Sequence, residues 1–321
     1  MHMKNGQNII PLLNNKLPLI SIIVLTYKNQ KFLKDTISSI LNQDYPEIEL
    51  ILSDDSSDVL NVEDINKFIE KNRKENLKRY LIRVNEENLG TVKHANKVLK
   101  FANGFYIKFV ACGDKFYSNS SLKSLYEFAC RQNSLVTSSL VDICSEDFSR
   151  SYYIHPNKYR SKIIEKYQPN ELFKVLCLNN IIPAVSVLFQ RNFFSNIEFD
   201  ERYKLLEDWP LWLKISRNGI KIEHLNLVTM FYADGGISSL NSNAFKAPSL
   251  CDDLLKCYKL EILPYIDDFS FFAKHYIKYK SLSLKEEKNI DYYIKYSIYI
   301  LFDNIKHYIK KILKFKGINN D

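Results

Sequence analysis

Glycine, paired cysteines and long apolar runs are scarce or missing in this sequence. Only 8 of the 321 residues are glycine. None of the six cysteines belongs to a C-x-x-C pair, which argues against a structural zinc site. No apolar run reaches the roughly 18 to 20 residues that a membrane-spanning helix needs. We therefore do not expect the chain to span a bilayer.

The first residues do not resemble a signal peptide, because Lys4, Asn5, Asn14, Asn15 and Lys16 interrupt every apolar run. We therefore expect a cytoplasmic protein with reduced thiols. The net charge of +8 favours an anionic partner. We do not expect that partner to be nucleic acid, because no recognisable nucleic-acid-binding motif accompanies the charge.

Strand-like and helix-like segments alternate from Pro18 onward. Strands are predicted at "LPLISIIVLTYKN", "IELILSDDSSD", "RYLIRVN" and "FYIKFVA", which are rich in apolar or β-branched residues. Helices are predicted between them at "QKFLKDTISSILNQDY", "VEDINKFIEKNRKEN" and "TVKHANKVLKFA". Such β-α units require right-handed crossovers and a mostly parallel sheet.

The pattern loosens after residue 114. A helix is predicted at "SLKSLYEFACRQ" and strands at "SLVTSSLVDIC" and "AVSVLFQ", with a polar Tyr- and Ser-rich stretch at 145–168. From Pro248 the sequence is helical in pattern and rich in Lys and Tyr. We therefore divide the chain into a polar leader (1–17), an α/β domain (18–245) and a helical C-terminal region (246–321).

Acidic residues stand at strand ends or loop starts in three places: Asp54 with Asp55, then Asp114, then Glu207 with Asp208. Each alone is consistent with a turn or a helix cap. Carboxylates at the carboxyl ends of strands are also where open α/β sheets bind ligands. The residues alone leave both interpretations open.

Taken in order, these segments resemble the inverting nucleotide-sugar glycosyltransferases of family 2, which have the GT-A fold. "SIIVLTYKN" resembles that family's first strand, and "ILSDDSSD" its second strand and acidic turn. "NEENLGTVKHANKVLKFANGFYIKFV" is similar to its next helix and fourth strand, and "FDERYKLLEDWPLWLKI" to its Glu-Asp acceptor motif. The resemblance covers about residues 18 to 240 and implies a GT-A enzyme.

The resemblance implies a donor site for a nucleotide-diphosphate sugar, most simply a UDP-sugar. Thr26, Tyr27 and Gly113 would line the nucleotide pocket, and Asp55 would accept a hydrogen bond from the base N–H group. Asp114 would hold Mn²⁺ or Mg²⁺, which neutralises charge on the departing diphosphate. The family's metal motif usually reads Asp-x-Asp or Asp-x-Asp-Asp. Here Ala111 and Gly113 stand in place of acids, and only Asp114 remains.

The same resemblance assigns the acceptor side to the Glu-Asp motif. Asp208 would be the base that takes the proton of the acceptor hydroxyl, and Glu207 would orient the acceptor or its loop. The acceptor would be a glycan or a lipid-linked glycan of a bacterial surface polysaccharide. Two alternatives remain: a nucleotidyltransferase of related α/β fold, and a non-catalytic module that binds sugar nucleotides.

Two further segments have alternative interpretations. The loop "ADGGISSLNS" (233–242) either closes over the donor or is a surface loop. In the tail, Ile298, Leu301, Phe302, Ile305, Ile309 and Ile312 form an apolar helical stripe, with lysines on the other side. Such a helix can lie on an anionic membrane at the inner face of the cell, pack on its own domain, or pair with a second copy.

Overall fold

The computed structural model describes residues 17–233, 248–285 and 290–316, with side chains in the last helix as far as residue 305. Within these ranges the chain forms a nine-stranded sheet. The strands are β1 (Ile20–Thr26), β2 (Ile48–Asp54), β3 (Leu77–Val84), β4 (Tyr106–Ala111), β5 (Lys115–Phe116), β6 (Val136–Cys144), β7 (Ser151–His155), β8 (Leu188–Gln190) and β9 (Glu223–Ala233). The α-helices are α1 (Leu33–Leu41), α2 (Val62–Asn72), α3 (Thr91–Leu99), α4 (Ser121–Gln132), α5 (Lys158–Lys166), α6 (Pro169–Leu178), α7 (Asp208–Arg217), α8 (Pro248–Cys257), α9 (Phe271–Ser283) and α10 (Ile290–Lys316).

The sheet has a parallel half and a mixed half. Its strand order is β3-β2-β1-β4-β8-β6-β9-β5, with β7 paired to β6. The first four strands are all parallel, while β8 is antiparallel to both β4 and β6. This confirms the α/β fold that the sequence predicts. The chain moves outward from β1 to β3 and returns on the other side of β1 as β4, so a topological switch point lies between β1 and β4.

Alternate residues of β1 pack on opposite faces of the sheet. Ile22 and Val24 belong to a buried cluster with residues of α1, α2 and α4, whereas Ile23 belongs to a cluster with residues of α3, α6 and α7. Since both faces are covered, the strand is apolar almost throughout, as the run "ISIIVL" indicates. The sheet is therefore a middle layer between two layers of helices.

Two sequence predictions need correction. In "AVSVLFQ" only Leu188–Gln190 is a strand, because Ala184–Ser186 forms a 3₁₀ turn after Pro183. The carbonyl groups of Val185 and Val187 accept hydrogen bonds from the Lys108 ammonium group there. The polar stretch 145–168 is also more regular than its composition suggests, since it contains β7 and α5.

The first part of the C-terminal region packs on the α3/α7 face of the sheet. Cys257, Tyr258 and Ile262 are buried in the same cluster as Trp209 and Trp212. The predicted division at 245 lies outside the described residues, as do the leader up to residue 16 and residues 234–242 of the "ADGGISSLNS" loop. The division into domains stays a prediction.

Helix α10 packs on α9 through tyrosines. Tyr279, Tyr292 and Tyr296 are buried against one another, and the Tyr279 hydroxyl donates to Asp303 Oδ2 at 3.0 Å. Another face of α10 carries exposed apolar side chains, namely Ile290, Ile294, Ile298, Leu301, Phe302 and Ile305. Ile309 and Ile312 of the predicted stripe lie beyond the described side chains. Among the helices of the described ranges, none is both long enough and apolar enough to cross a membrane.

Candidate active site

The ends of β1 and β4 lie side by side at the switch point. Leu25 is in register with Ala111, so Thr26 and the segment 112–114 extend from neighbouring strands. Thr26 Oγ1 donates to the carbonyl oxygen of Asn29 at 3.1 Å, and Cys112 Sγ donates to the same oxygen at 2.8 Å. The first turn after β1 is thus tied to the end of β4, which brings the predicted residues Thr26 and Asp114 into one region.

Gly113 has a backbone conformation that suits glycine. Its φ is +106°, a region that side-chain-bearing residues rarely adopt, although a Cβ atom would meet only Asn29 Nδ2 at 3.6 Å. Thr36 Oγ1 accepts from Gly113 N at 3.1 Å and donates to the carbonyl oxygen of Asp114 at 2.8 Å. Position 113, where the family usually has an acid, therefore lies in a turn that favours glycine. Thr36 of α1 holds this turn in place.

Asp114 is a buried carboxylate with few partners. Its side chain is 5% exposed, and Oδ1 accepts from the backbone N of Ala233 at 3.2 Å. Burial raises the pKa of Asp114 to about 7, against the hydrogen bond from Ala233 and the charge of Lys108. Lys108 is fully buried on β4, and this burial lowers the pKa of its ammonium group to about 7. A cation at Asp114 would stabilise the ionised carboxylate.

The described residues contain no group of three or more His, Cys, Asp or Glu side chains arranged to hold a metal ion. A protein-only cage for the ion therefore does not fit this part of the chain. A single buried carboxylate does fit Mg²⁺ or Mn²⁺ whose other ligands are water and phosphate oxygens. Asp114 is the residue that would hold such an ion.

Asp55 has a different environment from the one that the resemblance implies. Its carboxylate is 3% exposed and accepts four hydrogen bonds of 2.8–3.0 Å, from Asn85 Nδ2 and Leu89 N at Oδ1 and from Asn88 Nδ2 and Gly90 N at Oδ2. Each oxygen thus already has two donors. Asp55 ties the end of β2 to the loop before α3, and its contact with a base stays a prediction.

Tyr27 lies next to these groups at the surface. Its side chain is 42% exposed. The following residue, Lys28, has a positive φ of 52° and its backbone N donates to Ser57 Oγ at 2.7 Å. The turn after β1 is therefore bound to the loop that follows β2 as well as to the end of β4. It presents the Tyr27 ring to solvent, where a flat base could stack on it.

The acid pair of the Glu-Asp motif stands at the start of α7. Asp208 Oδ1 accepts from Trp209 N at 2.6 Å, and Oδ2 accepts from Asn180 Nδ2 at 2.8 Å. Burial raises the pKa of Asp208, while the bond from Asn180 opposes that rise. Burial and the charge of Asp208 together raise the pKa of Glu207 to about 8. The two neighbouring carboxyl groups therefore tend to share one proton near neutral pH.

A small cavity of about 50 Å³ connects the acid pair to the sheet. Glu207 and Asp208 form one part of its wall, and Leu25 of β1 and Phe109 of β4 form another. Strand β1 ends at Thr26, and β4 ends at Ala111, three residues before Asp114. The structure thus places the Glu-Asp motif beside the switch point, although Asp208 is 97 residues from the end of β4 and 182 from the end of β1 in sequence.

Sequence patterns did not indicate two residues of the candidate site, one beside the acid pair and one beside Asp114. Asn180 orients Asp208 from 28 residues away, and Lys108 lies buried beside Asp114 on an otherwise apolar strand. A lysine inside "YIKFV" was the only signal for the latter. Asn180 in "LNNIIPA" resembles an ordinary loop residue, so no local signal marks it.

Comparison with known proteins confirms the predicted family and fold. The model of the family described as "Glycosyl transferase family 2" matches residues 21–194. The chain is similar to the Bacillus subtilis (strain 168) protein named "Uncharacterized glycosyltransferase EpsJ", with 29% identity over 78% of this chain and 70% of that one. It is also similar to the Escherichia coli "UDP-Glc:alpha-D-GlcNAc-diphosphoundecaprenol beta-1,3-glucosyltransferase WfaP", with 25% identity over 84% of this chain and 99% of that one.

Two solved structures share the fold. The Pyrobaculum calidifontis mannosyltransferase PcManGT, solved in complex with GDP-Man and Mn²⁺, has a TM-score of 0.59 at 13% identity, over 94% of this chain and 85% of that one. TarS of S. aureus has a TM-score of 0.52 at 20% identity, over 83% of this chain. The match spans 43% of the TarS chain.

Proposed function

The chain belongs to glycosyltransferase family 2 and has the GT-A fold, and from this premise we propose how it works. It transfers a sugar from a UDP-sugar to a hydroxyl of a glycan acceptor, with inversion at the anomeric carbon. The observation that carries the mechanism is the position of Asp208, fixed by Asn180 and Trp209 N in the wall of a cavity next to β1 and β4.

Asp208 acts as the base in a single displacement. The acceptor oxygen attacks the anomeric carbon while the bond from that carbon to the diphosphate oxygen breaks. The Asp208 carboxylate takes the acceptor hydroxyl proton, and the nucleoside diphosphate leaves. Glu207, whose pKa is raised to about 8, stays protonated at neutral pH and can donate a hydrogen bond to the acceptor.

Asp114 contributes to the leaving-group side. A Mg²⁺ or Mn²⁺ ion bound there would neutralise charge on the diphosphate when the donor is bound. Thr26, Tyr27 and Gly113 form the edge on which the nucleotide lies, and Asp55 keeps the neighbouring loop in place. Support for this arrangement comes from the adjacency of the β1 and β4 ends and from the single buried carboxylate of Asp114.

The acceptor is a lipid-linked glycan of a bacterial surface polysaccharide. The similarity to WfaP, whose name specifies a diphosphoundecaprenol-linked acceptor, supports this class of acceptor. The exposed apolar face of α10 supports a second part of the proposal, namely that the protein binds the inner, anionic surface of the cell membrane. Lys306, Lys310, Lys311 and Lys314 continue the helix and supply positive charge.

Asp208→Asn tests the proposed mechanism. Asn has nearly the same shape and can still accept from Asn180 or Trp209 N, so fold and UDP affinity should stay near those of the unmodified protein. Sugar transfer should fall by about 10²- to 10⁴-fold, the usual contribution of a general base. Melting temperature, UDP binding and release of UDP from UDP-sugars are measured on one preparation, with Glu207→Gln as the matched variant.

The outcomes separate the alternatives. Near-normal transfer by Asp208→Asn would show that another group is the base, and a larger loss in Glu207→Gln would identify it. UDP binding without turnover by the unmodified protein would favour a non-catalytic module. Release of pyrophosphate from a nucleoside triphosphate would favour a nucleotidyltransferase.

A further inference from the structure

Asp253 is a buried carboxylate outside the groups that the mechanism uses. It lies on α8, in the C-terminal helical region, and its side chain is 2% exposed. One oxygen, Oδ2, accepts from three consecutive backbone N–H groups, at 2.8 Å from Lys204, 2.6 Å from Leu205 and 3.2 Å from Leu206. The last of these residues directly precedes Glu207.

Helix α8 itself gives no reason for an aspartate at this position. Asp253 is in the interior of the helix, where aspartate is a poor helix former. The Lys256 ammonium group is 3.7 Å from Oδ1, but it also donates to the carbonyl oxygen of Arg202 at 2.5 Å. Both side chains of α8 therefore act on the same segment, residues 202–206, which we call the acid-pair loop.

The acid-pair loop is confined on its other side by the start of α3. Val92 N donates to the carbonyl oxygen of Lys204 at 3.3 Å. A Cβ atom at Gly90 would lie 2.8 Å from Lys204 Cγ and 2.9 Å from Lys204 O. Gly90 N in turn donates to Asp55. The loop is thus held between the donor-side network of Asp55 and the carboxylate of Asp253.

We propose that Asp253 is a positioning residue for sugar transfer: it fixes the acid-pair loop by its three N–H bonds and so sets where Glu207 and Asp208 stand relative to the switch point. The proposal rests on the proposed function of the acid pair. Asp253 acts through the loop and touches neither the donor nor the acceptor. Its charge also adds to the effects of burial and of Asp208 that raise the pKa of Glu207.

Removing the carboxylate should weaken turnover more than donor binding. Asp253→Ala leaves three N–H groups without their acceptor, so the loop can move away from its present position. Misplacement by about 1 Å can cost on the order of 100-fold in rate. We expect kcat to fall by roughly 10- to 100-fold, with KM for the UDP-sugar within about twofold, because the donor edge at β1 and β4 keeps its own bonds.

A conservative variant and a matched control are measured together with Asp253→Ala. Asp253→Asn keeps one carbonyl oxygen for the three N–H groups and should recover most of kcat, to within about fivefold, since a neutral hydrogen bond is roughly half as strong as a charged one. Asp252→Ala changes the exposed neighbour on the same helix, and it should behave as the unmodified protein.

Hydrogen exchange supplies a readout that does not depend on activity. The amides of residues 204–206 should exchange faster in Asp253→Ala and return close to normal in Asp253→Asn. Unchanged exchange in the Ala variant, or unchanged kcat, would overturn the proposal. So would an equal loss of kcat in both Asp253 variants, if exchange in the Asn variant is normal. Should Asp253→Ala not fold, the exchange of residues 204–206 and the kcat of Asp253→Asn decide. A loss of kcat well beyond fivefold with normal exchange would then overturn the proposal.

The same experiment separates this proposal from the proposed function. If the unmodified protein transfers no sugar from any nucleotide sugar, the proposed function is wrong. The anchoring of the loop by Asp253 is then still tested by the exchange measurement. If transfer is normal in the unmodified protein and in Asp253→Ala, only the positioning role is wrong.

Discussion

Three aspartates of the candidate site, the buried Asp55 and Asp114 and the half-buried Asp208, differ in how their charge is satisfied. Asp55 receives four hydrogen bonds, Asp208 receives two, and Asp114 receives one from a backbone N–H group. The pKa values of Asp114 and Asp208 are raised because burial disfavours the ionised form. The sequence shows three similar acids at loop starts, and their chemistry differs because of contacts from distant segments.

Asp114→Asn should stabilise the ligand-free protein at neutral pH. The pKa of Asp114 is about 7 in the folded state, against about 3.9 in an unfolded chain. The folded state therefore binds an extra proton between these values, and the contribution of Asp114 to stability falls as pH rises through this window. Asparagine does not titrate, so the Asp114→Asn variant does not lose stability in this way as the pH rises.

Thermal or urea unfolding between pH 4 and pH 8 measures this effect. The stability difference between the Asn variant and the unmodified protein should grow from about pH 4 to about pH 7 and then level off. Lys108 titrates in both proteins, but the charge of Asp114 raises the pKa of its ammonium group, so part of the measured difference comes from Lys108. A difference that does not change with pH would mean that Asp114 titrates as an exposed carboxylate does.

Helix α10 has two faces with different surroundings, one packed on α9 and one exposed. Tyr292 and Tyr296 pack against Tyr279 of α9, whereas Ile298 and Leu301 are each 59% exposed. Tyrosines keep a polar hydroxyl while they bury a ring, so one face can join a partly wet helix pair. The aliphatic face has no such polar group and is the one that suits a lipid surface.

The protein should bind anionic vesicles through this aliphatic face, more weakly as salt rises, because the attraction to the lysines is screened. Replacing Ile298 and Leu301 together by Glu should abolish binding at low salt. Val59→Glu, at an exposed position far from the tail in sequence, is the control and should leave binding unchanged.

Vesicle flotation at low and high salt is the measurement. If the unmodified protein stays with the buffer at low salt, the aliphatic face has another role. A molar mass of two chains in light scattering would then point to pairing with a second copy.

The sequence predicted the elements whose pattern is strong. The β-branched runs of β1 and β2 and the amphipathic spacing of α1 appear as predicted, because burial on one or both faces leaves a direct trace in residue type. Helix α5 and strand β7 were not predicted, since both are short and mostly polar. Lys108 donates to the 3₁₀ turn at Ala184–Ser186 from 77 residues away, and no local pattern indicates that contact.

The candidate site also combines features that the local sequence shows with contacts that it does not show. Single acids at strand ends are visible in the sequence, whereas the bonds that orient them are not. Asn180 reaches Asp208 across 28 residues, and Asp253 reaches the acid-pair loop across 47 to 49. No periodicity links positions so far apart, so only the folded chain reveals them.

On the scale of the whole molecule, the candidate active site is surrounded by segments that lie far apart in the sequence. The match to the family model ends at residue 194, before the acid pair. Cys257, Tyr258 and Ile262 of the C-terminal region are buried in the same cluster as Trp209, the residue that follows the pair. Glu261 binds Arg217 at 3.0 Å and Arg202 at 3.2 Å. The described residues of the C-terminal region therefore share a buried core with α7 as far as Ile262.

A nucleoside diphosphate should stabilise the whole fold, because a ligand that binds only the native state raises its stability as RT ln(1 + [L]/Kd). The rise in melting temperature with UDP should be larger with Mn²⁺ or Mg²⁺ than with chelator. Asp114→Ala should remove that metal-dependent part and leave the rest.

A panel of nucleoside diphosphates with and without Mn²⁺ gives the comparison in one thermal-shift experiment. Equal shifts with Mn²⁺ and with chelator for the unmodified protein would show that the donor binds without the ion. Larger shifts with GDP than with UDP would show that the base is not uracil.

The positive φ at Gly113 has a consequence for how this enzyme could change over evolutionary time. One nucleotide separates a glycine codon from an aspartate codon, so a second acid next to Asp114 is a single mutation away. The new side chain would nevertheless sit on a turn that favours glycine and is held to α1 by Thr36. The mutation would bring strain before it brought a ligand. A lineage that starts from this turn should therefore keep one acid until neighbouring positions have reshaped the backbone.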